Sequence, residues 1–550
     1  MVNVGQAIVD RLVELGVRRA YTVPGESFLP VIDAFDQHPD VRLVSTRHES
    51  GAAFMAEGEA KLTGRPAVAM GTRGPGASNM AIGVHTACED STPMIVLLGD
   101  VETTRTSRQA FQEVDLPNFY RQITTFSATI QHPQRSVELV DRAWHAATRG
   151  RPGPAMLSLP ADLLDADYEA PDAWSPSVAH SAASQLPDAE ARVIIDRLRS
   201  ARCPVIIAGG GARAASAELV GLAEAVGAGV YVGFRRQDAF PNEHPHYCGH
   251  LTLGTPPEVL EAIEQADAVL VAGSRLDEPT SQGYTVPRPE CWIAQLNIDP
   301  RSVGAVLPID IGSTVDVPAA LSQLRSLAEA HDHVVRDWSR AHEAFLRTSV
   351  AREVVGDGMQ IDPEEVVAAL VRAFPSDTIV ANDAGNFATF VNRFWRFNHP
   401  FSQVAPTNGA MGYGLPAAIG AALARPDREV LATCGDGGFM MTGVEIETAV
   451  RVGVDLTAVV FRNGLYGTIA MHQARELGRL SAVNIGEIDV AGMARAMGAS
   501  GFTVRARDQL EDVFSEARTT AGPSIVDVVV DGDAILPSTR LRSLYRASGD

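Results

Sequence analysis

The stretch EVLATCGDGGFMMTGVEIETAVRVGVDLTAVVFRN, residues 429–463, decides the fold of the region that contains it. Two largely apolar segments, EVLATC and LTAVVF, flank a segment with helical spacing. A strand, a helix and a second strand form a parallel crossover unit, and parallel sheets need helices on their faces. The stretch therefore predicts an α/β domain built on a parallel sheet.

Each of the two strands ends in a side chain that carries oxygen. Asp436 follows the first strand and Asn463 follows the second, 27 residues later. Ligands bind at the carboxyl ends of strands in open α/β sheets, so we expect these side chains to be neighbours. One carboxylate and one amide oxygen, completed by diphosphate oxygens, suit octahedral Mg²⁺. Gly435, Gly437 and Gly438 would let the backbone approach the diphosphate closely. GDG alone would be read as a simple turn, but Asn463 in register favours the metal site.

The same alternation of strand-like and helix-like segments extends over the rest of the chain. PAVAMGTRGPG and PMIVLLGDV are strand-like in the first part, and CPVIIAGGGARAASAEL opens a second unit. A stretch rich in Pro and Ser, residues 167–190, is typical of a linker. In the third unit Asp362 can cap a helix, with Pro363 at its first position and Glu365 behind it.

These patterns predict an α/β fold with three doubly wound parallel-sheet domains. The expected boundaries are 1–170 for the N-terminal domain, 188–345 for the central domain and 356–550 for the C-terminal domain. A chain of 550 residues is too long for one hydrophobic core, which agrees with several domains.

Composition excludes several classes of protein. With 46 basic and 67 acidic residues the formal charge is −21, so we expect no nucleic-acid partner and no anionic membrane surface. No segment approaches the roughly 18 apolar residues of a membrane span. The N-terminal segment carries charges in a helical pattern, so we expect no signal peptide. The 5 cysteines form no metal-binding or CxxC spacing, which favours a reducing, cytoplasmic location.

GDG followed by Asn463 resembles the thiamine-diphosphate motif, and the surrounding residues resemble the acetolactate synthase branch (large, catalytic subunit type) of the pyruvate-decarboxylase-type enzymes. Further segments with counterparts there are RHESGAAFMAEGEAKLTGRP, TRGPGASN, AFQEVDLP, AFPNEHP and GAMGYGLPAAIGAALA. The resemblance covers essentially the whole chain. It implies a pyrimidine-binding first domain, a central domain and a diphosphate-binding third domain, with thiamine diphosphate and Mg²⁺ as cofactors. It also implies a homo-oligomer, dimer or tetramer, whose cofactor lies between two subunits.

Glu49 stands out in TRHESGAAFMA, residues 46–56. A carboxylate among small apolar residues needs a partner or a proton. By resemblance, Glu49 hydrogen-bonds the aminopyrimidine ring of the cofactor and activates it, and the small Gly51, Ala52 and Ala53 would let a ring approach. The alternative is a Glu in the first turn of a helix, where the helix dipole favours it. The motif in the third domain favours the catalytic role.

Further site residues follow from the resemblance. Met411 is expected to wedge beneath the cofactor, and Gly409 to offer its carbonyl to the amino group. Leu465 would supply a backbone carbonyl to the metal, beside Asp436 and Asn463. Gln112 would lie near the reacting centre as a catalytic residue. The remaining expected cofactor contacts are Gly25, Asn79, Gly385, Asn386 and Tyr466. From spacing alone Met411 would be an ordinary core methionine.

Several positions depart from the family pattern. Arg462 precedes Asn463 where an Asn is usual, so the local packing must differ. His472 replaces the Trp that selects the acceptor in acetolactate synthases, and it is a substrate contact or a surface residue. Asp100 stands where the synthases have Gln, and His85 is more typical of a satisfied core histidine.

Glu26, in VPGES, occupies a position that faces the substrate in related enzymes. We include it among the candidate catalytic residues because a carboxylate there could act as a general acid. The alternative is that it caps the following helix.

The central domain has a dinucleotide-like fingerprint. A strand precedes Gly209-x-Gly211-x-x-Ala214 and a helix follows, which favours a nicotinamide or flavin site. The next strand ends in Arg235 and Arg236 instead of an acidic residue. Arg275 resembles a flavin-contacting position in the family, some members of which bind FAD, so FAD remains a possible third cofactor.

The function expected from these residues is a thiamine-diphosphate- and Mg²⁺-dependent 2-oxo acid decarboxylase and carboligase, similar to acetolactate synthase, acting on a small 2-oxo acid. One alternative is a decarboxylase or C–C lyase that uses the same cofactor without ligation. A flavin-linked oxidoreductase and a non-catalytic binding subunit are the other two, and intact Glu49, Asp436 and Asn463 argue against the last.

Overall fold

The computed structural model describes residues 2–170, 183–352 and 360–545 of the chain. Three six-stranded sheets, each with all its strands parallel, are flanked by helices and form three domains. The prediction of three α/β parallel-sheet domains is therefore confirmed. Part of the predicted linker, 171–182, and the start of the predicted third domain, 356–359, lie outside the described residues.

The N-terminal domain carries a sheet of order β3-β2-β4-β5-β7-β6. A short antiparallel pair, β1 and β8, joins the beginning of the domain to its end. The strands are β1 (Val2–Asn3), β2 (Arg19–Thr22), β3 (Arg42–Ser45), β4 (Ala67–Thr72), β5 (Met94–Asp100), β6 (Phe126–Thr129), β7 (Pro154–Pro160) and β8 (Asp167–Tyr168). The helices are α1 (Val4–Glu14), α2 (Leu29–Gln37), α3 (Glu49–Thr63), α4 (Arg73–Asp90), α5 (Leu116–Tyr120), α6 (Ser136–Thr148) and α7 (Ala161–Leu164).

The central domain has the sheet order β11-β10-β9-β12-β13-β14, the doubly wound order of dinucleotide-binding folds. Its strands are β9 (Pro204–Ala208), β10 (Gly229–Val232), β11 (Tyr247–His250), β12 (Ala268–Ala272), β13 (Trp292–Asn297) and β14 (Ile311–Thr314). Its helices are α8 (Asp188–Ser200), α9 (Ser216–Val226), α10 (Pro257–Glu264), α11 (Val317–Glu329) and α12 (Ser339–Thr348).

The C-terminal domain has the sheet order β16-β15-β17-β18-β20-β19 and an additional hairpin, β21 and β22. The strands are β15 (Ile379–Asn382), β16 (Gln403–Val404), β17 (Val430–Gly435), β18 (Leu456–Arg462), β19 (Ser500–Val504), β20 (Pro523–Val529), β21 (Ala534–Leu536) and β22 (Thr539–Arg540). The helices are α13 (Pro363–Ala373), α14 (Phe387–Phe394), α15 (Gly414–Ala424), α16 (Asp436–Thr442), α17 (Glu445–Val452), α18 (Gly467–Leu477), α19 (Val490–Ala496) and α20 (Leu510–Thr519).

The start of α13 shows how local sequence fixes an element boundary. Asp362 accepts a hydrogen bond from the amide of Glu364, and the Glu365 side chain accepts one from the amide of Asp362. Pro363 occupies the first turn, where a missing N–H costs nothing. The capping box expected from the sequence is confirmed.

Helices α3 and α15 bring the N- and C-terminal domains into direct contact. A Cβ atom at Gly420 would lie 2.0 Å from the Met55 carbonyl oxygen, and one at Gly58 would lie 2.5 Å from the Ala417 carbonyl oxygen. Only glycine permits this approach, so Gly58 and Gly420 are required for the packing of α3 against α15.

Asp90, at the end of α4, joins all three domains. Its carboxylate accepts hydrogen bonds from Lys61 Nζ at 2.9 Å, Arg236 Nη2 at 2.7 Å and Thr407 Oγ1 at 2.7 Å. Burial by itself would raise the pKa of Asp90, but the charges of Lys61 and Arg236 lower it well below its usual value. Within the described ranges, none of the helices is long and apolar enough to cross a membrane.

Candidate functional site

Asp436 and Asn463 lie together at the carboxyl edge of the C-terminal sheet. Strands β17 and β18 are paired with Gly435 opposite Phe461, which places the two side chains on adjacent strand ends. Asp436 Oδ2 accepts a hydrogen bond from the amide of Gly464 at 2.7 Å. Burial raises the pKa of Asp436, although backbone amides donate to its carboxylate. The expected proximity of the two residues is therefore found.

The glycines that follow Asp436 line a tight cradle. A Cβ atom at Gly437 would lie 2.7 Å from Cε1 of Tyr466, and one at Gly438 would lie 2.6 Å from an Asp383 carboxylate oxygen. Leu465 forms an isolated bridge with Asn484, and its amide donates to Asn463 Oδ1 at 3.0 Å. The loop after β18 thus holds the amide oxygen of Asn463 in a fixed orientation.

Arg462 packs in a way that explains the departure from the family pattern. Its Nε and Nη2 atoms lie 2.8 and 3.0 Å from the two carboxylate oxygens of Asp527, on the neighbouring strand β20. This bidentate pair engages the Arg462 guanidinium on the neighbouring strand.

The turn that contains Met411 is held by a carboxylate that the sequence analysis missed. Asp383 is fully buried and accepts hydrogen bonds from the amides of Gly412 and Tyr413, both at 3.2 Å. Burial raises its pKa to about 6. Met411 itself is half-buried, so it is not an ordinary core methionine. The signal for Asp383 was its position just after β15, within the segment NDAGNF, residues 382–387.

Other predicted contacts lie on the same edge. Gly385 and Gly409 have φ angles of +149° and +72°, which disfavour other residues. Asn386 Oδ1 accepts a hydrogen bond from Thr468 Oγ1 at 2.8 Å, which joins the start of α14 to α18. Gly409 is exposed and lies beside Asn408.

Glu49 begins α3 and is buried, with 8% of its surface exposed. Its Oε2 accepts a hydrogen bond from Asn79 Nδ2 at 2.9 Å. Its Oε1 would lie 3.3 Å from a Cβ atom at Gly76. The structure thus brings together the predicted residues Glu49 and Asn79, through the turn between β4 and α4.

The segment before Glu49 is anchored by a second carboxylate that the sequence analysis missed. Glu445, the first residue of α17, accepts hydrogen bonds from the amides of Arg47 at 3.1 Å and His48 at 3.0 Å. Burial raises the pKa of Glu445. The C-terminal domain therefore positions the start of α3 in the N-terminal domain, a long-range contact that no local pattern announces.

Glu26 and Gln112 lie around the same turn as Glu49 and Asn79. Glu26 Oε1 lies 3.4 Å from Arg73 Nη1, and 62% of its side-chain surface is exposed. No side-chain hydrogen bond caps the helix that follows Glu26, so the capping alternative is wrong. A Cβ atom at Gly25 would lie 2.5 Å from Thr72 Cβ, which places Gly25 against this turn as well.

The structure shows the surroundings of three residues that depart from the family pattern. His472 is exposed on α18, with Nδ1 3.6 Å from Glu476 Oε1. His85 is exposed and its Nδ1 lies 3.1 Å from Asn408 Nδ2, so the prediction of a core histidine is wrong. Asp100 Oδ2 accepts a hydrogen bond from Ser158 at 2.6 Å.

The predicted residues form two separate groups within the chain. The first surrounds the β4–α4 turn in the N-terminal domain, and the second lies at the carboxyl edge of the C-terminal sheet. Among the described residues no hydrogen bond joins the two groups. Asn79 contacts Glu49, whereas Thr86, about 10 Å further along the α4 axis, contacts Asn408 beside Gly409.

A cavity of about 760 Å³ lies between the central and N-terminal domains. Gly209, Gly211 and Arg275 line it. Arg235 and Arg236 do not take the place of a ribose-binding acid: Arg236 binds Asp90, and Arg235 donates to the Pro406 carbonyl at 2.6 Å.

Comparison with family models covers all three domains. Models described as the thiamine pyrophosphate enzyme N-terminal TPP binding domain, central domain and C-terminal TPP binding domain match residues 2–119, 191–324 and 383–528. The chain belongs to the thiamine pyrophosphate enzyme family. It is an acetolactate synthase-like member, as the sequence motifs predicted.

Curated relatives carry more than one activity. The chain is 31% identical to a sulfoacetaldehyde acetyltransferase of Alcaligenes xylosoxydans xylosoxydans, over 92% of this chain and 88% of that protein. It is 29% identical to an acetolactate synthase of Bacillus subtilis (strain 168), over 96% and 93%. It is also 29% identical to the acetolactate synthase isozyme 3 large subunit of Escherichia coli (strain K12), over 97% and 95%.

Proposed function

We propose that this thiamine pyrophosphate enzyme uses thiamine diphosphate and Mg²⁺ to decarboxylate a 2-oxo acid and to join the remaining acyl fragment to a second carbonyl compound. The observation that carries the proposal is the position of Asp436 and Asn463 at adjacent strand ends, with Gly437 and Gly438 directly after Asp436. When bound, thiamine diphosphate supplies the electron sink for the loss of CO₂.

The residues present fit a cation that is shared with a ligand. Among the described residues, no group of three or more His, Cys, Asp or Glu side chains could hold a metal alone. The proposed protein donors are the Asp436 carboxylate, the Asn463 amide and the Leu465 carbonyl, with diphosphate oxygens completing the shell. A Cβ at Gly437 would meet Tyr466 and one at Gly438 would meet Asp383, so both positions require glycine. In the proposal the backbone amides of these glycines contact the diphosphate.

In this proposal Glu49 exchanges a proton with the pyrimidine ring nitrogen, and Asn79 holds its carboxylate in place. The Met411 side chain supports the cofactor from below, and Asp383 fixes the turn on which Met411 stands. Gln112, whose carbonyl accepts a hydrogen bond from the amide of Gly74, lies near the reacting centre.

The direct test is proton NMR of the purified protein with pyruvate, thiamine diphosphate and Mg²⁺, beside a sample without cofactor. Acetolactate or acetoin that forms only with cofactor supports the proposal. The proposal is contradicted if pyruvate and longer 2-oxo acids all remain unchanged, including in samples that contain sulfoacetaldehyde as the acceptor. The sulfoacetaldehyde arm is included because relatives with that activity match over most of the chain.

A decarboxylase without ligation is the second candidate. Glu26 is the observation that favours it, because its largely exposed carboxyl group, in its protonated form, could donate a proton to the product. Free aldehyde as the main product, lost on Glu26→Gln, would establish this candidate instead.

We also propose that the central cavity binds a nucleotide, with FAD as the candidate. Its support is the cavity lined by the fingerprint glycines and Arg275. A yellow chromophore in the purified protein, with an absorbance maximum near that of oxidised flavin, checks this, and redox turnover would favour the oxidoreductase alternative.

A homo-oligomer with each site between two subunits completes the proposal. Met440, Met441 and Val444, on α16 and just beyond it, are 44%, 50% and 45% exposed, an apolar patch that a second subunit would cover. Light scattering measures the oligomeric state. The cytoplasmic location stays an expectation that cell fractionation would check.

A further inference from the structure

Two loop segments meet beside Glu49 at the carboxyl edge of the N-terminal sheet. The amide of Gly74 donates to the carbonyl of Gln112 at 3.0 Å, and Arg73 Nη1 donates to the carbonyl of Phe111 at 3.4 Å. These contacts bring the segment that contains Phe111 and Gln112 against the start of α4, six residues before Asn79.

Both residues adopt a backbone conformation that is unusual for non-glycine residues. Arg73 has a φ of 42° and Gln112 a φ of 64°. Backbone strain of this kind persists where the surroundings demand it, and it concentrates at ligand-binding positions. Two such residues on segments that contact each other are a reason to examine what their side chains do.

Each of the two side chains has a buried polar atom without a hydrogen-bond partner among the described residues. These atoms are Nε of Arg73, a donor, and Oε1 of Gln112, an acceptor. The Arg73 side chain is only 16% exposed. A buried polar atom without a partner is costly, so these two atoms are available to a ligand that offers an oxyanion to Arg73 and a hydroxyl or amide donor to Gln112.

Glu26 supplies the countercharge when no such group is present. Its Oε1 is 3.4 Å from Arg73 Nη1, and the exposed carboxylate can move into water without being buried unpaired. An incoming oxyanion can replace Glu26 beside Arg73, because a guanidinium pairs with carboxylate and sulfonate oxygens in the same way.

The anion that Arg73 receives is not the carboxylate that leaves. In decarboxylation the C–C bond breaks, its electron pair passes to the electron sink, and the carboxylate departs as neutral CO₂. An arginine bound to that carboxylate would stabilise the ground state more than the transition state and would slow the reaction. Arg73 is therefore suited to an anionic group that survives the reaction.

We propose that Arg73, with Gln112 beside it, is a specificity-determining residue that binds a second oxyanion on the substrate, a carboxylate or sulfonate remote from the reacting carbonyl. The inference rests on the proposed function and deepens it, because it names the substrate class. The charged group belongs either to the donor 2-oxo acid or to the acceptor aldehyde, and the two sources are separated by experiment.

The kinetic test compares charged and neutral substrates of similar size. In the donor arm, kcat/KM is measured with 2-oxoglutarate as the donor with a second charge and 2-oxohexanoate as the donor without one. In the acceptor arm, pyruvate is the donor, and kcat/KM is measured with succinic semialdehyde as the charged acceptor and pentanal as the neutral one. In one of the two arms, Arg73→Gln is expected to lower the charged-to-neutral ratio about 10- to 100-fold, and Arg73→Lys to restore part of it. Arg135→Gln, which removes an equal charge from an exposed pair with Glu138, is the control. A ratio that Arg73→Gln leaves unchanged in both arms overturns the proposal.

A binding measurement separates this inference from the proposed function. Glutarate is titrated into the enzyme loaded with thiamine diphosphate and Mg²⁺, followed by calorimetry. Glutarate binding that is lost in Arg73→Gln, in a variant that still binds thiamine diphosphate, supports the anion site even if no 2-oxo acid is turned over. Turnover without any Arg73-dependent charge preference leaves the proposed function standing and removes this inference.

Discussion

The N- and C-terminal domains have the same sheet topology, but the side chains at the corresponding sheet edge carry opposite charges. Numbered within each domain, the sheet strands run in the order 2-1-3-4-6-5 in both, while the central domain runs 3-2-1-4-5-6. In both outer domains the third strand ends in a glycine-rich turn that starts a helix. The residue that begins this helix is Arg73 in one domain and Asp436 in the other.

The contrast shows that sheet topology determines where a functional site forms, whereas single residues determine the charge of that site. The turn after β17 offers a carboxylate and two glycines, which suit a cation and a diphosphate. The turn after β4 offers a guanidinium and lies against Glu49 through Gly76. In the proposed function the turn after β17 anchors the cofactor, and the turn after β4 serves activation and substrate recognition. The following variants test that division.

The largest effect is expected at the cofactor-anchoring turn. Asp436→Ala removes the only carboxylate proposed to hold Mg²⁺, so thiamine diphosphate affinity should fall at least 1,000-fold, to about the limit of detection. Calorimetric titration with thiamine diphosphate and Mg²⁺ measures it. Asp455→Ala, which removes an exposed carboxylate at the amino end of β18, is the matched control and should bind normally. Unchanged affinity in Asp436→Ala would refute the metal assignment.

The N-terminal turn should affect turnover more than binding. Glu49→Gln keeps the shape and the contact with Asn79 but cannot exchange a proton with the ring, so kcat should fall about 10²- to 10⁴-fold. Cofactor affinity should stay within about tenfold, in contrast to the Asp436 variant. Steady-state kinetics and hydrogen–deuterium exchange at C2 of the bound cofactor measure the two effects. Glu138→Gln is the exposed control, and wild-type exchange in Glu49→Gln would end the activation argument.

Mixing these two inactive variants tests whether the two turns meet across subunits. A hybrid dimer of Glu49→Gln and Asp436→Ala chains contains one site with both wild-type residues, if each site is built from two chains. Random exchange should then restore about one quarter of the wild-type activity. The two variants are unfolded and refolded together, and the activity of the mixture is compared with the activity of each variant refolded alone. No restoration in a mixture that forms hybrids would place both turns of a site in one chain.

The sequence predicted the sheets, the capping box and the pairing of Asp436 with Asn463, because each follows from local periodicity or from one crossover. It did not predict Glu445 or Asp383. Their role comes from contacts with segments far away in the sequence, namely the amides before Glu49 and those after Met411. The environment of His85 was also misjudged, since its exposure depends on how α4 meets the loop before α15.

The smallest effect is expected at Asp383, the buried carboxylate that holds the turn of Met411. Burial raises its pKa from 3.8 to about 6, so the folded state holds a proton that the unfolded chain releases between those pH values. Stability should therefore fall as pH rises from about 4 to 6, by about 3 kcal/mol from this group. Asp383→Asn cannot titrate, so its stability should change less over that range. Urea unfolding at several pH values measures the difference.

Asp427→Asn is the control for this pH series. Asp427 is exposed, and its hydrogen bonds with Arg425 lower its pKa to about 2, so its titration lies below the window in which Asp383 changes charge. The control should keep the wild-type slope between pH 4 and 6, while Asp383→Asn flattens it. Equal slopes in all three proteins would show that Asp383 stays ionised throughout, held by the amides of Gly412 and Tyr413. The turn of Met411 would then be fixed by a permanent charge rather than by a group that gains a proton near pH 6.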